Sequence, residues 1–155
     1  MLDTFEQRLK HEIDRNGSPG TSRRRDSVGG ETGILYPELS RQIVGAAIAV
    51  HRGIGPGQLE SVYQRALARE LALCGIPYEA QVPIAMYYKG SCVGDFLADF
   101  IVDGSVIVEL KVVSRVLPVH VAQVLSYLRA TNLRLGLLIN FEVPVLFRGV
   151  RRVVL

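Results

Sequence analysis

Residues 106–113 read VIVELKVV: six β-branched or aliphatic residues interrupted by one acid, Glu109, and one base, Lys111. The composition predicts a strand. Alternation then divides it, with Glu109 and Lys111 on a face with Ile107 and Val113, and Val108, Leu110 and Val112 on the other. A strand this apolar must either turn its charged face to water or give its ions partners inside the protein. A half-exposed strand with a surface ion pair is the plainer outcome on general grounds; the preceding segments point to the other.

Two strand-like runs, about 78–88 and about 93–102, come before it, with KGS and DGS as hairpin turns. If DGS (103–105) is a three-residue turn, Val102 faces Val106 and Asp99 falls directly opposite Glu109. If only Asp103 and Gly104 turn, Asp99 lies one rung along. Either register brings two carboxylates together on a largely apolar sheet, where they repel and are costly to desolvate. A divalent cation removes the objection. Hard oxygen donors at one point, with a lysine one rung on, suit Mg²⁺ or Mn²⁺ and a neighbouring phosphate.

The remaining pattern supplies the frame. At 155 residues, 48% hydrophobic and 21% charged, the chain is a one-domain length with enough apolar residues for a real core. Residues 1–34 are set apart as an N-terminal arm: Leu2, Phe5, Leu9 and Ile13 recur at helical spacing, and 16–33 have the Gly, Ser and charge content of a flexible linker. The domain proper is expected over 35–155. One helix runs from near Pro37 or Ser40 to the glycines of HRGIGPG, with Ile43, Ala46, Ala47, Val50 and Ile54 on one face. A second runs from about Gln58 to Leu73, with Leu59, Val62, Tyr63, Ala66, Leu67 and Leu71 inward. After the meander, Pro118 opens a helix to about Ala130, and LRLGLLINF and VRRVVL read as strands. The order is α-α-β-β-β-α-β-β, an α/β (α+β) fold with a mixed sheet and flanking helices.

Several classes of function fall away. The longest clean apolar stretch, IVGAAIAV at 43–50, is far too short to span a membrane, and MLDTFEQRLK lacks the basic and apolar regions of a signal peptide, so a cytoplasmic protein is expected. Cys74 and Cys92 have no metal-site or redox spacing and are expected to be buried thiols. GIGPG follows no strand and is turn chemistry rather than a dinucleotide loop. The net charge of +3 permits an anionic partner without demanding one.

Gly57, Glu60 and Tyr63 in GQLESVY, followed in order by Asp99, Glu109-Leu110-Lys111 as E-x-K, QVLSY as Q-x-x-x-Y and LGLLINF, resemble the GxxExxY protein family of the PD-(D/E)XK nuclease-like superfamily. The resemblance covers about residues 35–155. It departs from the superfamily pattern at Ala98, where proline often precedes the aspartate. It implies a restriction-endonuclease-like core, a Mg²⁺- or Mn²⁺-dependent nuclease, and nucleic acid, DNA before RNA, as partner. It further implies Asp99 and Glu109 as metal ligands with the Leu110 carbonyl and Glu60 beside them, Lys111 as the catalytic base or charge-offsetting group, and Gln123 and Tyr127 as auxiliary site residues. His51 and Arg52 are candidates for phosphate contact, although both also suit a helix C-terminus. Tyr63 reads better as a core aromatic with a tethered hydroxyl. A non-cleaving nucleic-acid-binding module and an interaction protein on the same fold are the rival readings; neither accounts for the acidic pair.

Overall fold

The computed structural model describes residues 34–155 and the single residue Gln7. The expected arm helix at 2–13, Gln7 apart, and the linker at 16–33 lie outside the described residues. Helices α1 (Pro37–Ile54) and α2 (Glu60–Leu73) lead into strands β1 (Tyr78–Tyr88), β2 (Ser91–Val102) and β3 (Val106–Lys111). Helix α3 (Pro118–Thr131), β4 (Leu135–Asn140), a 3₁₀ turn (Leu146–Gly149) and β5 (Val150–Val154) complete the chain. The strands lie in sequence order, β3 and β4 parallel and all other neighbours antiparallel. Apart from the 3₁₀ turn, this is the element order expected from the sequence, a restriction-endonuclease-like α+β fold.

Local chemistry sets the ends of these elements. Pro37 and Pro118 open α1 and α3, where their missing N–H would have had no helical partner anyway. Behind α2, Gly75 takes φ 68°, a value that favours glycine, and the Ile76 N–H donates to the Leu71 carbonyl at 3.0 Å to close the helix. Lys89 and Gly90, both at positive φ, form a two-residue turn between β1 and β2. Asp103-Gly104-Ser105 make the three-residue turn, with Val102 facing Val106.

The sheet is covered on both faces. Against α1 and α2 pack Phe100, Val102, Val106, Val108, Leu110, Leu135, Leu137 and Ile139. Against α3 pack Ile84, Ala98, Ile107, Leu138 and Val153. Phe100 and Ala98 are two residues apart on β2, so regular alternation would put them on one face; they belong to opposite layers. Tyr78 and Ile84 on β1 divide in the same way. The exchange falls at Gln81 and Asp99, and from there the far part of the hairpin packs on the α3 side.

Three expectations about burial need correcting. Leu59 is 74% exposed, because it precedes α2 and caps it instead of lying on its inward face. Ile54 is exposed where α1 gives out. Cys92 is exposed near the β1–β2 turn, and Cys74 is only partly covered.

Glycine substitutions test this packing. A Cβ at Gly136 of β4 would run into the Val124 side chain of α3, so Gly136→Ala should lower stability by about 1–3 kcal/mol. Gly45→Ala in α1, where a Cβ meets nothing within 4 Å, should raise it by about 0.5–1 kcal/mol. Urea unfolding midpoints of the two variants should move in opposite directions.

Candidate active site

The β2–β3 ladder ends at the Phe100–Val108 rung. Just beyond it the Asp99 side chain replaces a backbone partner: its Oδ2 accepts the Leu110 N–H at 2.8 Å, and its Oδ1 accepts Gln81 Nε2 at 3.3 Å. Asp99 is thereby held in the seam that β2 leaves as it bends away. Glu109 sits on β3 between Val108 and Leu110 and is 3% exposed. Its Oε1 accepts from Lys111 Nζ at 2.8 Å, while its Oε2 is buried without a hydrogen-bond partner. Strand β3 therefore keeps its ions inside. Glu109 and Lys111 pair with each other across two positions, and one carboxylate oxygen is left over.

Burial and crowding appear in the proton affinities. Burial, then the Asp99 charge, push Glu109 from 4.5 to about 7, against the pull of Lys111 and, more weakly, of the Asp99 backbone N–H. Burial raises Asp99 as well, partly offset by the Leu110 N–H, Lys111 and Gln81. Burial would lower Lys111, but its hydrogen bond to Glu109 and the charges of Glu109, Glu60 and Asp99 outweigh that and raise it. Glu60, in the first turn of α2, is raised by burial, eased by Lys111 and pushed further by Asp99. Tyr127 is raised by burial and lies within the fields of Glu109, Lys111 and Asp99. Five of the expected side chains thus share one electrostatic neighbourhood.

Gln123 reaches this group through Tyr127, donating from Nε2 to the phenol oxygen at 2.6 Å across one turn of α3. The expected pair on one helix face is present, its two members bonded to each other. His51 lies elsewhere: it is buried, and its Nε2 donates to the Val143 carbonyl at 2.8 Å, tying the end of α1 to the loop after β4. Arg52 beside it is exposed. Tyr63 is a core aromatic, stacked on Phe141 with ring centroids 4.4 Å apart. Its hydroxyl donates to the Gly55 carbonyl at 2.5 Å and accepts the Gln58 N–H at 3.2 Å. That tether, with the Gly57 N–H on Glu142, fixes the loop from which Glu60 enters α2.

Two contributors went unread in the sequence. Asn140 closes β4 and clamps the chain after Lys111: its Nδ2 donates to the Val113 carbonyl at 2.7 Å and its Oδ1 accepts the Val113 N–H at 3.1 Å. This ends β3 at Lys111, two residues earlier than expected. An amide finishing the buried run LLIN was the available signal. Gln81 holds Asp99 from the neighbouring strand with φ 52°, a left-handed conformation worth on the order of 1–3 kcal/mol of strain in a non-glycine residue. No pattern in YEAQVPIAMYY marks it.

Among the described residues, no three His, Cys, Asp or Glu side chains close on one point as a metal cage. The donor set still fits Mg²⁺ or Mn²⁺, since such an ion needs only one or two carboxylates and fills its other positions with water and phosphate oxygens. The buried, unpartnered Glu109 Oε2 beside Asp99 is the opening such an ion fits.

A mixed five-stranded sheet with helices on both faces, and with acids and a lysine gathered where two strands part, defines a restriction-endonuclease-like protein. The family comparison carries this further, for residues 37–153 match the PD-(D/E)XK nuclease superfamily and the chain belongs to it. Neither a curated protein nor a solved structure matches the chain. No described helix is long and apolar enough to cross a membrane.

The raised acids give stability a pH dependence. A folded-state value of about 7 against 4.5 means Glu109 favours the fold fully below about pH 4.5 and loses that contribution as pH rises through about 7. Asp99, raised as well, acts in the same direction. Without divalent ions, the free energy of unfolding, read from urea titrations, should fall between about pH 4.5 and pH 8 by up to about 3 kcal/mol. Glu109→Gln should remove most of that slope.

Proposed function

We propose that this domain is a metal-dependent nuclease that hydrolyses phosphodiester bonds of nucleic acid, with DNA the favoured substrate. The observation that carries the reading is the buried, unpartnered Glu109 Oε2, set beside Asp99 and within reach of Lys111, in a chain of the PD-(D/E)XK superfamily. A fold built for stability alone gains nothing from an acid pair that burial has pushed toward protonation. In a site that must admit both a cation and a phosphate, the same pair has a use.

Asp99 and Glu109 would hold the ion, with the Leu110 carbonyl as a further oxygen and Glu60 at the rim of the acidic group; the chemistry supplied there would be Lewis-acid polarisation of the phosphoryl group and a lowered pKa for the attacking water. Lys111 keeps its proton at neutral pH, because the surrounding carboxylates raise it, and this favours electrostatic work over base catalysis. Its ammonium fixes the Glu109 carboxylate and offsets charge that develops on the phosphoryl oxygens. Tyr127 and Gln123, joined to each other, present one polar group on the α3 side to steer the phosphate. Contact with the nucleic-acid backbone near α1 falls to Arg52, which is exposed, while the His51 Nε2 stays committed to Val143.

The test is cleavage of several single- and double-stranded forms of DNA and RNA with Mg²⁺, Mn²⁺ or EDTA. Asp99→Asn and Lys111→Ala should each abolish cleavage and retain the folded circular-dichroism spectrum. In metal-free buffer Asp99→Asn should bind nucleic acid as well as the unmodified protein or better, with affinity falling as salt rises. Binding without cleavage of any form, with either ion, would assign the domain to non-cleaving recognition; absence of both would turn attention to a protein partner.

A further inference from the structure

Gln81 is the least expected residue at the site. It lies mid-strand in β1, between the Ala80–Phe100 and Val82–Ala98 pairs, and the rung it should share with Asp99 is missing from the ladder. Its φ of 52° is left-handed, a conformation that a strand residue with an ordinary side chain does not adopt unless its surroundings impose it. At this rung the hairpin changes layers, Phe100 packing under α1 and α2 and Ala98 on the α3 side. Irregularities of this sort inside a sheet re-aim a side chain. The side chain re-aimed here is Asp99, and Gln81 Nε2 meets its Oδ1.

Backbone and side chain thus serve one end. The left-handed turn lets β2 bend so that the Asp99 carboxylate points into the seam, and the amide then fixes its rotation, since Oδ2 is already taken by the Leu110 N–H. We propose that Gln81 is a positioning residue of the site, which orients the Asp99 carboxylate for a divalent cation through an amide that only a side chain of glutamine's length, on a left-handed backbone, brings to Oδ1. The inference rests on the reading of Asp99 as a metal ligand. Hydrogen-bond partners behind a ligating carboxylate are worth about 10- to 100-fold in metal affinity in other proteins.

The two contributions separate by mutation. Glycine and asparagine both accept positive φ with less strain than glutamine, and neither carries an amide that reaches as far. Gln81→Gly and Gln81→Asn in the full chain should keep or raise the melting temperature while weakening Mn²⁺ binding about tenfold or more by isothermal titration calorimetry, with Asp99→Asn as the reference for loss of the ligand itself. Unchanged Mn²⁺ affinity in both variants would overturn the role given to Gln81 and leave the metal site standing. Weakened binding that comes only with a lower melting temperature in both would overturn it too, assigning Gln81 to the fold. If the unmodified protein binds no Mn²⁺, the metal reading of Asp99 fails and this inference falls with it.

Discussion

Beyond the Phe100–Val108 rung, β2 and β3 no longer pair, and the Leu110 N–H goes to the Asp99 carboxylate. This substitution of a side chain for a backbone carbonyl lets the sheet open without orphaning a buried N–H, whose loss of a partner costs about 1–3 kcal/mol. It also holds Asp99 beside Glu109, whose proton affinity is raised first by burial and then by the Asp99 charge. Lys111 relieves part of that repulsion, and Asn140 holds the chain after Lys111 in place. Each group in the series is where it is because the preceding one is.

The site is therefore distributed unevenly over the fold. Asp99, Glu109 and Lys111 come from one hairpin, Glu60 from a helix whose start is set by the Tyr63 tether, and Tyr127 with Gln123 from the crossover helix. Helices on both faces keep water from the strands while leaving the acids at the seam. Low polarity around Glu109 strengthens each interaction it makes and makes its unpartnered oxygen costly.

The features legible in the sequence were those with a period or a turn. Apolar spacing at three and four placed the helices, β-branched and aliphatic runs placed the strands, and DGS narrowed the hairpin to two registers, either of which brings Asp99 close to Glu109. The electrostatic group, too, could be read as residues in order, because an acid and a base inside VIVELKVV conflict with burial unless they have work to do. Illegible were the positions where tertiary structure overrides the local pattern. Gln81 has no propensity for its backbone conformation, Leu59 looks like a helix face and is a cap, and the Val143 carbonyl that takes up His51 lies ninety-two residues away.

The bend at Gln81 has an effect on the other side of β1. Among the described residues this strand is the first of the sheet and pairs with β2 alone, so the backbone groups along its outer side form an edge of the kind on which chains stack into aggregates. The left-handed Gln81 breaks the line of those groups, Pro83 lacks an N–H altogether, and the register slips again between Met86 and Tyr87. Over eleven residues the edge offers no long straight template, although Tyr87 and Tyr88 are exposed near its end. The geometry that turns Asp99 on the inner side of the strand thus also breaks up a straight pairing edge on the outer one.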